Sequence, residues 1–98
     1  MKYTVEIKEE ALTDIQEAYD YYEEQKEGLG NRFLDTLDYY FDRLQKYPHH
    51  YQIKKKFYRE AFIKDFRYLI IYEIEEKKVI VYAIFNTWKN PKKKPGKQ

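Results

Sequence analysis

The 98-residue sequence has no cysteine and no serine. Without cysteine there are no disulfides and no thiolate metal sites. Without serine there is no Ser-His-Asp triad. The three glycines are scattered, so no glycine-rich loop can cradle a phosphate. The two histidines, His49 and His50, are adjacent. Metal-binding pairs on one helix face sit at i and i+4, whereas neighbouring histidines point apart in most backbones. The pair reads as a solvated loop, and neither a metal nor a cofactor is expected. No apolar run approaches the ~20 residues of a membrane helix. The start, "MKYTVEIKEE", is charged from its second residue and lacks the apolar stretch of a signal peptide. A soluble, cytoplasmic protein without a membrane partner is expected.

What is present is charge and tyrosine. The length suits one domain, and a chain of this size buries only about 60–65% of its unfolded surface. Charged residues make up 37% of the chain, too many to hide, so most must face water. Twelve tyrosines pack like hydrophobes but need each hydroxyl wet or bonded. They imply a thin core or a surface that meets a partner. The net charge of +2 conceals a split. Residues 1–47 carry six Lys/Arg and twelve Asp/Glu; residues 48–98 carry thirteen and five. Either the basic half meets an acidic partner or nucleic acid, or the two signs face each other across the fold.

The periodicity gives the elements. "KYTVEIK" alternates, with Tyr3, Val5 and Ile7 on one side of a short strand. From Lys8 to about Lys26 the period becomes helical: Leu12, Ile15, Ala18, Tyr19 and Tyr22 form one stripe, and Asp14, Glu17, Asp20 and Glu24 take the opposite side. "KEGLGN" reads as a turn. A second stripe, Phe33, Leu34, Leu37, Phe41 and Leu44, should end before Pro48. "FYREAFI", "FRYLIIYEI" and "KVIVYAIF" are β-rich, the last two so apolar that both faces should be covered. Lys64-Asp65 and Glu75 to Lys78 separate them. The expected architecture is α+β, in the order β-α-α-β-β-β. A helical hairpin lies on one face of a mainly antiparallel sheet. Residues 1–91 form the domain, and 92–98 read as a basic, flexible tail.

The candidate functional residues are basic. Lys54 to Lys56 form a run, and Arg59, Lys64, Arg67 and Lys89 lie along or beside the strands, with Arg59 and Arg67 placed within strands among aromatics. Arginine beside aromatics suits phosphate clamping and base stacking. Cations on strands also serve to block edge pairing. Tyr72 lies deep in an apolar run and reads as a core residue with a bonded hydroxyl. Lys92 to Lys94 read as a solvated charge run.

A short strand, a helical hairpin ending "RLQKYP", then "YRE", "FRYLIIYEI" and "VIVYAIFNTWKNP" together resemble the RelE/ParE superfamily. These are toxins of bacterial type II toxin–antitoxin, or plasmid stabilisation, systems, and the resemblance is closer to the ParE-like branch. It spans Tyr3 to Pro91. It implies a growth-inhibiting toxin neutralised by a cognate antitoxin, itself dimeric and DNA-binding. ParE-like members inhibit DNA gyrase by binding it. RelE-like members enter the ribosome and cut mRNA, which needs an acid, an activated 2′-hydroxyl and cations for the phosphorane charge. In the nucleases an arginine commonly stands three residues before the strand tyrosine; here Leu69 precedes Tyr72. Many members carry a His-x-x-Arg-x-Pro-like segment after the last strand. Here it reads Asn86-Thr87-Trp88-Lys89-Asn90-Pro91. Asparagine transfers no proton near neutrality, and Lys89 keeps the charge but loses the bidentate fork. The resemblance therefore favours a binding toxin, with Arg59, Lys64, Arg67, Trp88 and Lys89 as contact residues. For a nuclease, Arg59, Arg67, Tyr72 and Lys89 would carry the reaction, with Tyr68 or Tyr72 supplying a proton. A third possibility is an inactive relative that serves only as an interaction module.

Overall fold

The computed structural model describes residues 2–87. Strand β1 (Thr4–Ile7) leads into helices α1 (Glu9–Gln25) and α2 (Leu29–Lys46) and a single 3-10 turn (Pro48–His50). Strands β2 (Ile53–Lys55), β3 (Tyr58–Ile63), β4 (Tyr68–Glu75) and β5 (Lys78–Asn86) follow. The sheet order is β1-β5-β4-β3-β2, parallel only between β1 and β5. The expected order is present with one addition, the three-residue edge strand β2. It falls in the lysine run, which has no alternating apolar pattern to announce a strand.

Both helices lie on one side of the sheet. The core joins Ala11, Ala18, Phe33, Leu37 and Leu44 from the helices to Ala61, Ile63, Tyr68, Ile70, Tyr72, Val79, Val81 and Ile84 from the strands. The stripe of α1 is rotated from the expected one. Ala11 is buried while Leu12 is 53% exposed. Small residues at Ala11 and Ala18 let α1 sit close to β5, and the stripe takes the i, i+7 spacing of those two alanines. The long apolar run of β5 has a local explanation. Pairing with β4 slips between Ile71/Tyr72, so that Ile71 faces Ala83 and Tyr72 faces Val81. Tyr82 is the extra residue of this bulge. As a result Val79, Val81 and Ile84 all reach the helix side, while Ile71, Ile80 and Ala83 are buried on the other.

The hairpin turn is shorter than "KEGLGN" suggests, because Gly30 and Asn31 are already helical. Gly28, with φ +89°, makes the left-handed reversal. The α2 N-terminus has neither a capping side chain nor an acid in its first turn. Glu23 of α1 supplies both. Its carboxylate accepts from the Gly28 N–H at 3.0 Å and the Gly30 N–H at 2.9 Å, placing negative charge at the positive end of α2. Gly30 must be glycine for this contact. A Cβ there would meet the Glu23 Oε1 and Tyr19 ring carbons at 2.8 Å.

The exposed charge of α1 is acidic, with Glu17, Asp20 and Glu24, whereas α2 mixes Asp35, Asp38 and Asp42 with Arg32 and Lys46, and the strand and turn segments mix Lys54, Lys56, Lys64, Arg67, Lys77 and Lys78 with Asp65, Glu75 and Glu76. The ion pairs Lys8–Glu6 (3.0 Å), Lys46–Asp42 (3.1 Å) and Lys78–Glu6 (3.6 Å) are local to one element or to adjacent ones.

Gly30→Ala should destabilise the domain by about 1–3 kcal/mol through overpacking, although alanine is the better helix former by about 1 kcal/mol. Thermal unfolding followed by circular dichroism checks this; a raised Tm would refute the Glu23–Gly30 packing.

Candidate target-binding surface

The predicted basic and tyrosine residues do not form one cluster. Arg59 and Tyr72 face each other across β3 and β4. The Arg59 guanidinium donates to the Tyr51 carbonyl at 2.6 Å. The Tyr72 hydroxyl, fully buried, donates to the Pro48 carbonyl at 2.7 Å. Burial holds its proton far above the ordinary tyrosine range. These two side chains fasten the 3-10 turn and the approach to β2 against the sheet. His49 and His50 are exposed in that turn, His49 edge-on to Tyr3 and His50 edge-on to Tyr51.

Lys64 and Arg67 lie at the opposite end, in the β3–β4 turn. Arg67 is not within a strand as its sequence context suggests. It adopts the left-handed conformation, with φ +60°. Side chain and tertiary bonds hold it there. The Arg67 carbonyl accepts from both the Thr87 N–H (3.1 Å) and the Thr87 hydroxyl (2.8 Å). The preceding Phe66 carbonyl accepts from the Tyr22 hydroxyl at 3.2 Å. The Phe66 ring is pinned edge-on between Tyr22 and Phe33, with centroids 5.0 and 5.2 Å away. Left-handed geometry at a non-glycine residue is costly and persists where surroundings over-determine it, often at functional sites.

Tyr68 begins β4 beside this turn. It is buried, and burial pushes its hydroxyl up to about 12. The Asn86 carboxamide donates to that hydroxyl at 3.3 Å. Neither group exchanges a proton near neutrality. Four residues of strand separate Tyr68 from Tyr72, roughly 13–14 Å at ~3.4 Å per residue. The Arg59–Tyr72 pair and the Arg67 turn are therefore two separate places along the sheet. Trp88 and Lys89 lie outside the described residues. The chain reaches Thr87 while bonded to Arg67, so the last strand ends at the Arg67 turn.

One acid was placed on the wrong side by periodicity. Asp14 faces the sheet, and its Oδ2 accepts from the Ile84 N–H at 3.0 Å. Strand β1 pairs β5 only as far as Val81, and Asp14 takes over as acceptor beyond its end. Desolvation raises its carboxyl above the ordinary range, opposed by the Ile84 hydrogen bond and aided by Glu17 and Glu10. Neither Asp14, grouped by periodicity with the other acids of α1, nor Thr87, whose bonds reach a turn twenty residues away, carried a signal in the sequence.

Residues 5–91 match the family described as ParE toxin of type II toxin-antitoxin system, parDE. The chain belongs to the ParE toxin family. No curated protein matches the sequence. Among solved structures, the chromosomal ParDE TA system from P. aeruginosa superimposes with a TM-score of 0.76. The match covers 86% of this chain and 95% of that one at 11% identity, a likeness of fold. A ParE-family chain of this kind is a toxin of a type II toxin–antitoxin system.

Asp14 yields a signed pH prediction. Its folded-state carboxyl is raised, so its contribution to stability is present at low pH and falls as pH rises through the raised value. Asp14→Asn keeps an acceptor for Ile84 without the desolvated charge, and should equal or exceed wild-type stability at pH 7. Asp14→Ala leaves the Ile84 N–H unpaired and should cost about 1 kcal/mol or more. Urea unfolding at pH 4 and pH 7 measures both. Wild type losing stability relative to Asp14→Asn on acidification would contradict the raised carboxyl.

Proposed function

We propose that this ParE-family chain arrests growth by binding and inhibiting DNA gyrase in the cytoplasm, and that a cognate antitoxin, dimeric and DNA-binding, neutralises it. One observation carries the choice of binding over cleavage. Asn86, where relatives keep a proton carrier, is engaged with a buried tyrosine hydroxyl. Arg59 and Tyr72, the other members of a nuclease set, stand a strand length from Arg67 and are spent on Tyr51 and Pro48 carbonyls. Among the described residues no helix is long and apolar enough to cross a membrane. The contact residues proposed are Lys64 and Arg67, with Trp88 and Lys89 beyond the described strand end. Arg59 holds the approach to β2 through the Tyr51 carbonyl and stands apart from these contacts.

The expected outcome is inhibition of gyrase supercoiling by purified toxin at micromolar concentration, relieved by antitoxin. Arg67→Ala should weaken inhibition about tenfold, the scale of one lost charge-assisted contact. Tyr72→Phe should retain inhibition while losing about 1 kcal/mol of stability, one buried hydrogen bond. Untouched supercoiling together with codon-linked cuts in translated mRNA, seen by primer extension, would replace this reading with ribosome-dependent mRNA cleavage.

A further inference from the structure

The sequence has four arginines, and the fold uses two of them internally. Arg43 lies over the Tyr39 ring, 5.9 Å from its centroid, and is hydrogen-bonded to Tyr51. Arg59 donates to the Tyr51 carbonyl. Arg32 and Arg67 differ. Both are exposed, and among the described residues neither guanidinium has a hydrogen-bond or ion-pair partner. Both line the same cleft, of about 460 Å³, between the start of α2, the end of α1 and the β3–β4 turn. Its apolar lining comes from Leu29, Phe66 and the rings of Tyr21 and Tyr22.

The cleft is built rather than incidental. Thr87 and Tyr22 hold the backbone of the Phe66–Arg67 turn through three hydrogen bonds. Arg32 stands one helical turn after Leu29, in a helix start anchored by Glu23. Two unpartnered guanidiniums above an apolar lining suit a planar carboxylate carried on an apolar stem. The surroundings decide against a polyanion. Asp65 also lines the cleft, and α1 alongside it carries seven carboxylates and no cation over Glu9–Gln25. A nucleic-acid backbone would meet that field along its length. A single carboxylate placed between the two arginines would meet Asp65 as the one acid of the lining.

We propose that this cleft binds an acidic side chain flanked by apolar ones, from an extended segment of a protein partner, with Arg32 and Arg67 as the paired contacts. The proposal rests on the reading that the chain works by binding a protein, and it adds Arg32 and Tyr21, which no sequence pattern marked. Guanidinium and carboxylate supply charge complementarity, and the fixed turn lowers the ordering cost of binding.

The test is a titration of the full ¹⁵N-labelled chain, followed by amide chemical shifts, with three probes: a capped Leu-Glu-Leu-Glu peptide, its Leu-Gln-Leu-Gln counterpart and an eight-residue oligothymidylate. The Glu peptide should give saturable shifts at Leu29, Arg32, Phe66 and Arg67, and the Gln peptide should bind about tenfold more weakly or not at all, as loss of a charge-assisted pair predicts. Arg32→Ala and Arg67→Ala should each weaken the Glu peptide by a similar factor, with Lys54→Ala, exposed on β2 outside the cleft, close to wild type. Should Arg67→Ala not fold, Arg32→Ala decides, since that side chain is exposed and its loss removes no internal bond. The proposal is overturned by equal response to both peptides, by no saturable shift at these residues, by folded arginine variants that bind as wild type, or by oligothymidylate saturating the same signals at lower concentration. No gyrase is present in the titration. Peptide binding with unaffected supercoiling would keep the cleft and remove the gyrase target; the reverse would keep gyrase and remove the cleft.

Discussion

The aromatic contact of Tyr22, Phe33, Phe66 and Tyr68 is the constraint on which the β3–β4 turn and its Arg67 depend. Each ring comes from a different element: α1, α2, the β3–β4 turn and β4. Phe33 lies 5.2 Å from both Phe66 and Tyr68, and Tyr22 lies 5.0 Å from Phe66. Burial of a side chain such as Phe33 is worth about 1.5–3 kcal/mol, but the geometric result matters more. Once Phe66 is seated, Tyr22 can donate to its carbonyl, and Arg67 is left in the left-handed region facing solvent. Thr87 then closes the turn onto the end of β5. Core packing thereby fixes an exposed arginine without using its guanidinium.

Tyrosine suits this economy. A small domain has little interior, and side chains that are apolar along the ring and polar at the tip can fill it while tying down distant backbone. Tyr22 bonds the Phe66 carbonyl, Tyr72 bonds the Pro48 carbonyl, and Tyr82 reaches the Glu73 carboxylate. These bonds fasten the turn at one end of the sheet and the 3-10 segment at the other. Tyr21, Tyr39 and Tyr47 remain exposed. The tyrosines therefore divide between those that fasten the fold and those left exposed.

The charge split along the chain is carried mainly by α1, which has seven carboxylates and no cation over Glu9–Gln25. On α2 the cations Arg32, Arg43 and Lys46 stand among Asp35, Asp38 and Asp42, and Asp65, Glu75 and Glu76 are exposed among the lysines of the strands and turns. The cleft of Arg32 and Arg67 lies beside the end of the acidic helix.

The alternation of Tyr3, Val5 and Ile7, the helical stripe of Phe33, Leu37 and Leu44, and the apolar runs of β4 and β5 were sufficient to give the elements other than β2 and their order, while the family came from the resemblance of the motif strings. Local periodicity reports burial directly, so these features need no knowledge of distant neighbours. It could not report the rotation of α1 toward Ala11, the inward turn of Asp14, the bulge at Tyr82 or the helical position of Gly30. Each of those depends on what a residue meets across the fold. The same holds for the candidate site. Sequence alone identified Arg59, Arg67 and Tyr72 as residues to watch, and the resemblance to the RelE/ParE superfamily drew attention to Asn86. Only tertiary structure separated Arg59 and Tyr72 from Arg67, bound Thr87 to Arg67 and brought Arg32 into the same cleft, because hydrogen bonds and side-chain packing between residues far apart in the chain exist only after the helices close on the sheet.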